Sequence, residues 1–282
     1  MNKPVIITAD STCDLSDELV EKYNIKIIPL TITLGDESFL DGRDFTPDVM
    51  YRRFRADGTL PKTAAPSIQQ YADFFGSLVK AGYEVVHLNI SAELSGSFNN
   101  AHIAASEFEG VYPIDTRTLS TGIGILALEG SECSEKGMSG AEIYEHLMSL
   151  VPHVDISFVL DTLEFMWKGG RCTGVVALGA NLLRLKPALE MRDGKLEVYK
   201  KYRGSIDGVY KQYIIERLKG KKVRPGHIFI THSGEVPDSK IEELKELVNS
   251  LVPNMQLHVT VAGCTVSSHC GPKTLGVLFI TE

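Results

Sequence analysis

Short apolar runs alternate with amphipathic segments along the first half of the chain, and this alternation constrains the fold more than any single motif does. The apolar runs are PVIITAD, IKIIPLTITL, EVVHLNI and VYPID. The segments between them have helical spacing, and capping-box pairs stand at Ser67/Gln70 and Ser139/Glu142. Strands separated by helices pair in parallel, so residues 1–151 are predicted to form an α/β domain around a parallel sheet.

The order of elements changes after Val151. The segment PALEMRDGKLEVYKKYR predicts two strands joined at Asp193-Gly194, a strong hairpin signal. A hairpin requires antiparallel pairing. Because later strands again alternate with helices, residues 152–282 are predicted to form a second α/β domain with a mixed sheet. A helix is also predicted at TGVVALGANLLR.

Three hydroxyl-rich segments follow predicted strands: ADSTCD, ISAELSGS and DTRTLSTG. In open parallel sheets, ligands lie beyond the carboxyl ends of the strands. Hydroxyls and free backbone N–H groups at a helix start suit an anionic group, and Ser95 and Gly96 stand at such a position. Each segment alone predicts a helix cap, but the three together predict a polar crevice.

Composition and motifs argue against several classes of function. The 36 acidic and 29 basic residues give a net charge of −7, which disfavours nucleic acid as a partner. No apolar run approaches the ~18 residues of a membrane-spanning helix, and MNKPVIITADST lacks the pattern of a signal peptide, so we expect a cytoplasmic protein. Five scattered cysteines without a C-x-x-C, and no H-E-x-x-H, predict neither a disulfide framework nor a metal site.

Two enzyme classes remain as alternatives. Ser95 lies in a strand-to-helix turn, and His269 in SSHCGP has the character of a polar loop residue, so a Ser/His hydrolase acting on a small anionic or ester substrate is one hypothesis. The G-x-S-x-G elbow is absent, however. GIGILA fits G-x-G-x-x-A, but Gly122 stands seven positions after Asp115, too far from its strand for a dinucleotide fingerprint.

The segment WKGGRCTG combines positive charge with glycine. Lys168 and Arg171 flank two glycines in what is predicted to be a loop. An ordinary surface turn and a contact for phosphate or an acidic partner are both consistent with this pattern.

A set of segments resembles the DegV family of bacterial fatty-acid-binding proteins. These segments are ADSTCDL, KTAAPS, ISAELSGSFNNA, VYPIDTRTLSTGIGILALEG, DTLEFMWKGGR, LKPAL and HCGPKTLGV, and they span nearly the whole chain. The resemblance implies a two-domain α/β fold, with a three-layer α/β/α first domain around the parallel sheet. It also implies that one long-chain fatty acid, such as palmitate, stearate or oleate, lies between the domains. In that family the protein has no catalytic residue or cofactor of its own; it presents the acyl carboxylate to the catalytic subunit of a fatty acid kinase, and the acyl phosphate enters phospholipid synthesis.

The resemblance also implies which residues act. The family's carboxylate contacts correspond to Thr63, Ser95 and His269. Arg203 matches an arginine that lies near the head group in the family. Lys168 to Arg171 match the family's Lys-Gly-Gly-Arg turn, which is expected to face the partner. Two positions depart from the family pattern. TAAPS replaces the common Thr-Ser-Gln-Pro-Ser, so that Ala65 stands where glutamine is usual, and Lys273 replaces a glycine.

These residue types suit a fatty acid. Burial of about fifteen methylene or methyl groups of a C16 chain is worth on the order of 12 kcal/mol before ordering costs. An ionised carboxylate buried without donors would cancel much of that gain, and two hydroxyls with an imidazole supply the donors. Ser95 is therefore expected to bind the carboxylate and Gly96 to let the backbone approach it, whereas Ser91 and Ser97 are expected to be turn and cap residues.

Overall fold

The computed structural model describes residues 3–172 and 185–282, and helices and strands are numbered within them. The first half contains β1 (Val5–Asp10), α1 (Asp17–Lys22), β2 (Lys26–Ile28), β3 (Thr31–Leu34), β4 (Glu37–Leu40), α2 (Pro47–Asp57), β5 (Lys62–Ala64), α3 (Ile68–Lys80), β6 (Glu84–Asn89), α4 (Ser97–Ala105), β7 (Val111–Asp115), α5 (Thr121–Glu135) and α6 (Gly140–Leu150). The second half contains β8 (Val154–Val159), α7 (Glu164–Gly169), β9 (Leu185–Arg192), β10 (Lys195–Arg203), α8 (Ile206–Leu218), β11 (Val223–His232), α9 (Asp238–Leu251), β12 (Gln256–Val261), α10 (Cys264–Cys270) and β13 (Leu275–Thr281).

The first sheet is parallel throughout, with strand order β2-β1-β6-β7. Successive residues of a strand point to opposite faces. Ile6 and Val85 share a core cluster with Phe75 of α3, whereas Ile7 packs in a cluster with Leu126 of α5. Helices therefore cover both faces of the sheet, and the predicted three-layer arrangement of this half is confirmed.

Helix α5 is buried along most of its length because it lies between the first sheet and a second one. Ile123 and Leu126 are 0% exposed. A Cβ on Gly122 would lie 2.2 Å from Ile156 Cδ1 of β8, and a Cβ on Gly124 would lie 2.7 Å from a Leu15 methyl. The glycines of GIGILA thus permit close packing in the core, and side chains fill the space that a dinucleotide phosphate would need.

The second sheet is mixed, with strand order β10-β9-β8-β13-β11-β12. β11 and β12 are parallel, and the other neighbouring pairs are antiparallel. The β9–β10 turn is formed by Asp193 and Gly194 with φ of 50° and 81°, the left-handed values that a tight hairpin needs. The predicted hairpin and mixed sheet are confirmed.

The predicted strand IKIIPLTITL is two strands in different sheets. β2 belongs to the parallel sheet, but after Pro29 the chain turns into β3, the centre of a small antiparallel sheet of order β4-β3-β5. Pro29, which has no N–H for a ladder hydrogen bond, stands between the two strands. β5 was not predicted, and it places Thr63 opposite Ile32.

Two segments predicted as loops are helical. Trp167, Lys168 and Gly169 form the end of α7, with Gly170 as its left-handed C-cap, and His269 lies on α10. The helix predicted at TGVVALGANLLR lies outside the described residues. Among residues 3–172 and 185–282, no helix has the length and apolar character needed to cross a membrane.

Candidate functional site

A cavity of about 470 Å³ lies where all three sheets meet. Its apolar wall includes Leu94, Leu119, Phe158, Met166, Leu196 and Val266. Leu94 and Leu119 follow β6 and β7, so two of the three hydroxyl-rich segments reach the cavity, as predicted for the carboxyl ends of parallel strands. The third segment, ADSTCD, instead contacts the start of α10 through Asp14. The cavity volume lies in the range of small-molecule sites, roughly 300–1,000 Å³.

Thr63 and His269 meet at this cavity from opposite halves of the chain. Thr63 Oγ1 lies 3.3 Å from His269 Nε2. Burial and then the nearby charge of Arg171 lower the pKa of His269 to about 4, so the imidazole is neutral at pH 7. Its Nδ1 is buried without a hydrogen-bond partner among the described residues and faces Gly169, where a Cβ would come within 2.3 Å of it.

Ser95 and Gly96 form the cavity wall at the start of α4. Ser95 Oγ lies 2.9 Å from Ser97 Oγ and accepts a hydrogen bond from the Ser97 N–H at 3.2 Å. Gly96 has an ordinary backbone conformation, and a Cβ there would meet no atom within 4 Å. Gly96 therefore leaves open space beside Ser95.

Ser91 is a turn residue, as predicted. Its hydroxyl accepts the Glu93 N–H at 3.3 Å and donates to the Gly194 carbonyl at 2.7 Å. The second contact joins the β9–β10 hairpin tip to the loop that carries Ser95.

Charged side chains border the cavity on one side. Arg171 and Glu93 both line it; Arg171 donates to the Gly169 carbonyl at 2.7 Å, and Glu93 pairs with Lys195 at 3.4 Å. Lys168 is exposed and pairs with Glu164 at 2.9 Å. Glu93 and Met166 stand inside the segments ISAELSGSFNNA and DTLEFMWKGGR, but neither was predicted at the site, because only the tertiary fold brings them to the cavity.

Arg203 is not brought to this cavity. It is exposed at the last position of β10, whereas Leu196, which lines the cavity, is near the first. The seven positions between them correspond to about 23 Å of extended strand. The structure thus groups Thr63, Ser95, Gly96 and His269 and leaves Arg203 apart.

The hydrogen bonds at the cavity differ from those of a Ser/His hydrolase. Ser95 pairs with Ser97, and His269 pairs with Thr63, so within the described part of the chain no Ser–His pair is formed and no carboxylate orients the imidazole. The same residues contain no group of three or more His, Cys, Asp or Glu side chains that could hold a metal ion. The site offers uncharged hydrogen-bonding groups beside an apolar wall, with the charged Arg171 and Glu93 on its border.

Fold and cavity together define a two-domain α/β protein with a cavity that combines an apolar wall with polar and charged side chains at its border. The model of the DegV family, described as uncharacterised proteins, matches residues 4–282, and the chain belongs to that family. A DegV domain-containing protein of Clostridium perfringens is 30% identical over the full length of both chains. The predicted family and fold class are thereby confirmed.

Two solved structures are similar over nearly their whole length. A DegV family protein from Thermus thermophilus, described for its fatty acid binding, is 28% identical, with 100% of both chains covered and a TM-score of 0.88. A stearic-acid-binding protein from Eubacterium ventriosum is 29% identical, with 98% of both chains covered and a TM-score of 0.83.

Proposed function

We propose that the protein binds one long-chain fatty acid, with its tail along the apolar wall and its carboxylate at Thr63, Ser95 and His269. The observation that carries this proposal is that a single cavity combines an apolar wall with these three uncharged polar groups. The relatives from T. thermophilus and E. ventriosum, both described as binding fatty acids, support the same ligand class.

The charge state of the site favours this ligand. A hydroxyl donates a stronger hydrogen bond to a charged acceptor than to a neutral one, so Thr63 and Ser95 compensate a buried carboxylate. The neutral imidazole of His269 adds a donor without forming a full ion pair, which leaves the carboxylate oxygens available for reaction.

We further propose that the protein is a carrier without catalytic activity of its own. It presents the carboxylate in the cytoplasm to the catalytic subunit of a separate fatty acid kinase, whose acyl phosphate product enters phospholipid synthesis. Arg171, at the cavity, and Lys168, exposed on α7, are the proposed contacts with that partner.

Mass spectrometry of a denaturing organic extract tests the ligand. Protein purified from its native host should release about one fatty acid per chain, because an apolar cavity of this kind is stabilised by burial of an acyl chain. An empty protein that hydrolyses activated esters would instead support the Ser/His alternative.

A charge reversal tests the partner surface. At saturating fatty acid, with the kinase subunit and ATP present, Arg171→Glu should lower the rate of acyl phosphate formation at least fivefold, because a contact with an acidic partner becomes repulsive. Lys219→Glu, the same change at an exposed position after α8, should leave the rate within twofold. Equal rates for both variants would remove Arg171 from the partner surface.

A further inference from the structure

The first turn of α10 is capped by side chains from the opposite half of the chain. The Gly263 N–H donates to Asp14 Oδ1 at 2.8 Å, and the Thr265 N–H donates to Asp41 Oδ1 at 3.3 Å. A helix leaves its first N–H groups without internal partners, and acidic side chains there also interact favourably with the helix dipole. The two carboxylates therefore satisfy the start of α10 from 249 and 224 positions away.

Both carboxylates are buried and held in place. Asp14 is 5% exposed and Asp41 is 2% exposed. Asp14 Oδ2 accepts from Ser120 Oγ at 2.6 Å, and Asp41 Oδ2 accepts from Ser11 Oγ at 2.9 Å. Each oxygen thus has a defined partner, as buried polar groups require.

The carboxylates are also close to one another across Gly263. A Cβ at Gly263 would lie 3.0 Å from Asp41 Oδ1 and 3.4 Å from Asp14 Oδ1. Burial, followed by the charge of Asp41, raises the pKa of Asp14 well above its usual value, and burial raises the pKa of Asp41. The absence of a side chain at Gly263 is what allows both groups to reach the helix.

Helix α10 is fixed by tertiary contacts: most of its residues are buried, and Tyr51 Oη donates to the Ser267 carbonyl at 3.4 Å. It has only seven residues, too few to be stable without tertiary contacts. One of its faces carries Thr265, Val266, His269 and Cys270, which all line the cavity. Thr265 and His269 are one helical turn apart, so a displacement of the first turn moves the imidazole relative to Thr63.

We propose that Asp41, together with Asp14, is a positioning residue for His269: the two carboxylates seat α10 on the first half of the chain and so hold the imidazole against Thr63. This inference rests on the proposed function in that His269 is taken to meet the fatty acid head group. Through Asp14, the segment ADSTCD then serves to fix α10, although it does not line the cavity.

The affinity test uses Asp41→Ala and oleate. Asp41→Ala should weaken oleate binding about tenfold, measured by isothermal titration calorimetry, because α10 loses an anchor and His269 its position. Asp44→Ala is the matched control, since this exposed carboxylate in the same loop also accepts a backbone N–H, that of Leu40; it should change affinity by less than twofold.

A double-mutant cycle separates positioning from general damage. In a His269→Ala background, Asp41→Ala should weaken oleate binding by less than twofold, because the residue through which it acts is gone. A full tenfold loss in that background would overturn the proposal. Asp41→Asn keeps one oxygen that accepts the Thr265 N–H, so it should recover binding to within threefold of wild type and provides a folded variant if alanine unfolds the chain.

Nuclear magnetic resonance of the ligand-free protein gives a readout that does not depend on fatty acid binding. The imidazole signals of His269 should titrate near pH 4 in wild type and nearer pH 6.5 in Asp41→Ala, because a loosened α10 admits water to the ring. An unchanged titration in Asp41→Ala would overturn the positioning role even if oleate binds. A shifted titration in a protein that binds no oleate would support the role of Asp41 and contradict only the proposed function.

Discussion

Thr63 lies in a three-residue strand, β5, and its hydroxyl becomes part of the site because His269 lies next to it. His269 stands 206 positions later in the chain, yet its Nε2 lies 3.3 Å from Thr63 Oγ1. Ser95 reaches the same cavity from a third element, the start of α4. At the residue scale, each polar group of the site has its role because of the side chains that lie around it in the fold.

Removing either hydroxyl should weaken fatty acid binding. Thr63→Val and Ser95→Ala each delete one hydrogen bond to a charged acceptor, worth ~1.5–3 kcal/mol, so the dissociation constant should rise roughly 10- to 100-fold. Displacement of a fluorescent fatty acid measures the change, and the melting temperature should stay nearly constant because both sites are at a cavity wall.

Two substitutions control for the loss of a hydroxyl as such. Thr33→Val makes the same change on β3 of the small sheet, and Ser106→Ala makes it at the exposed C-cap of α4. Both should bind like wild type. Wild-type affinity in Thr63→Val and Ser95→Ala as well would count against the proposed head-group site.

At the scale of elements, α5 lies between the parallel sheet and the mixed sheet and sets the distance between them. Glycine within a helix normally costs stability relative to alanine. Gly122 is an exception, because a Cβ there would lie 2.2 Å from Ile156 Cδ1 and 2.6 Å from Thr118 Oγ1. Because Gly122 has no side chain, the backbone of α5 can pack closely against β8.

Gly122→Ala should destabilise the protein by ~1–3 kcal/mol through overpacking, as measured by urea unfolding. Gly208→Ala is the matched control, since the nearest atom to a Cβ in the first turn of α8 is Ser205 Oγ at 3.4 Å; it should be neutral or stabilising. Ile156→Val removes the crowding methyl and should partly restore Gly122→Ala. Equal effects of alanine at the two glycines would show that the sheets tolerate a wider separation.

At the scale of the whole molecule, buried histidines make stability depend on pH. His87 is 0% exposed, and its Nδ1 lies 2.7 Å from Thr8 Oγ1 within the first half. Burial lowers its pKa to about 3, against 6.5 in an ordinary environment. As the pH falls below 6.5, the unfolded chain binds a proton that the folded chain excludes, so the contribution of His87 to stability is complete above pH 6.5 and is lost on acidification.

The difference in free energy of unfolding between wild type and His87→Leu should therefore fall by ~2 kcal/mol from pH 6.5 to pH 5, at about 1.4 kcal/mol per pH unit. Urea unfolding at the two pH values measures it. His102→Gln, at an exposed histidine of α4, should show no such change. Parallel pH dependence of wild type and His87→Leu would mean that His87 is protonated in the fold.

Local signals predicted the elements that are formed by neighbours in the chain. Both capping boxes are present, at Ser67 and Ser139, and the Asp193-Gly194 turn closes its hairpin. Elements that depend on distant parts of the chain were not predicted. β5 is only three residues long, and the first turn of α10 is capped by Asp14 and Asp41 from the other half of the chain. The resemblance to a family implied one head-group site formed by Thr63, Ser95, His269 and Arg203; the first three line one cavity, whereas Arg203 is at the far end of β10.

The sequence by itself determined the alternation of strands and helices, the hairpin and the family, because hydrophobic period, caps and turn residues act within a few positions of the chain. Only the tertiary structure decided that Pro29 divides one apolar run between two sheets, that α5 is enclosed by both, and that Thr63 meets His269. Those outcomes depend on which surfaces pack together, and burial is a property of the whole fold that no short segment contains.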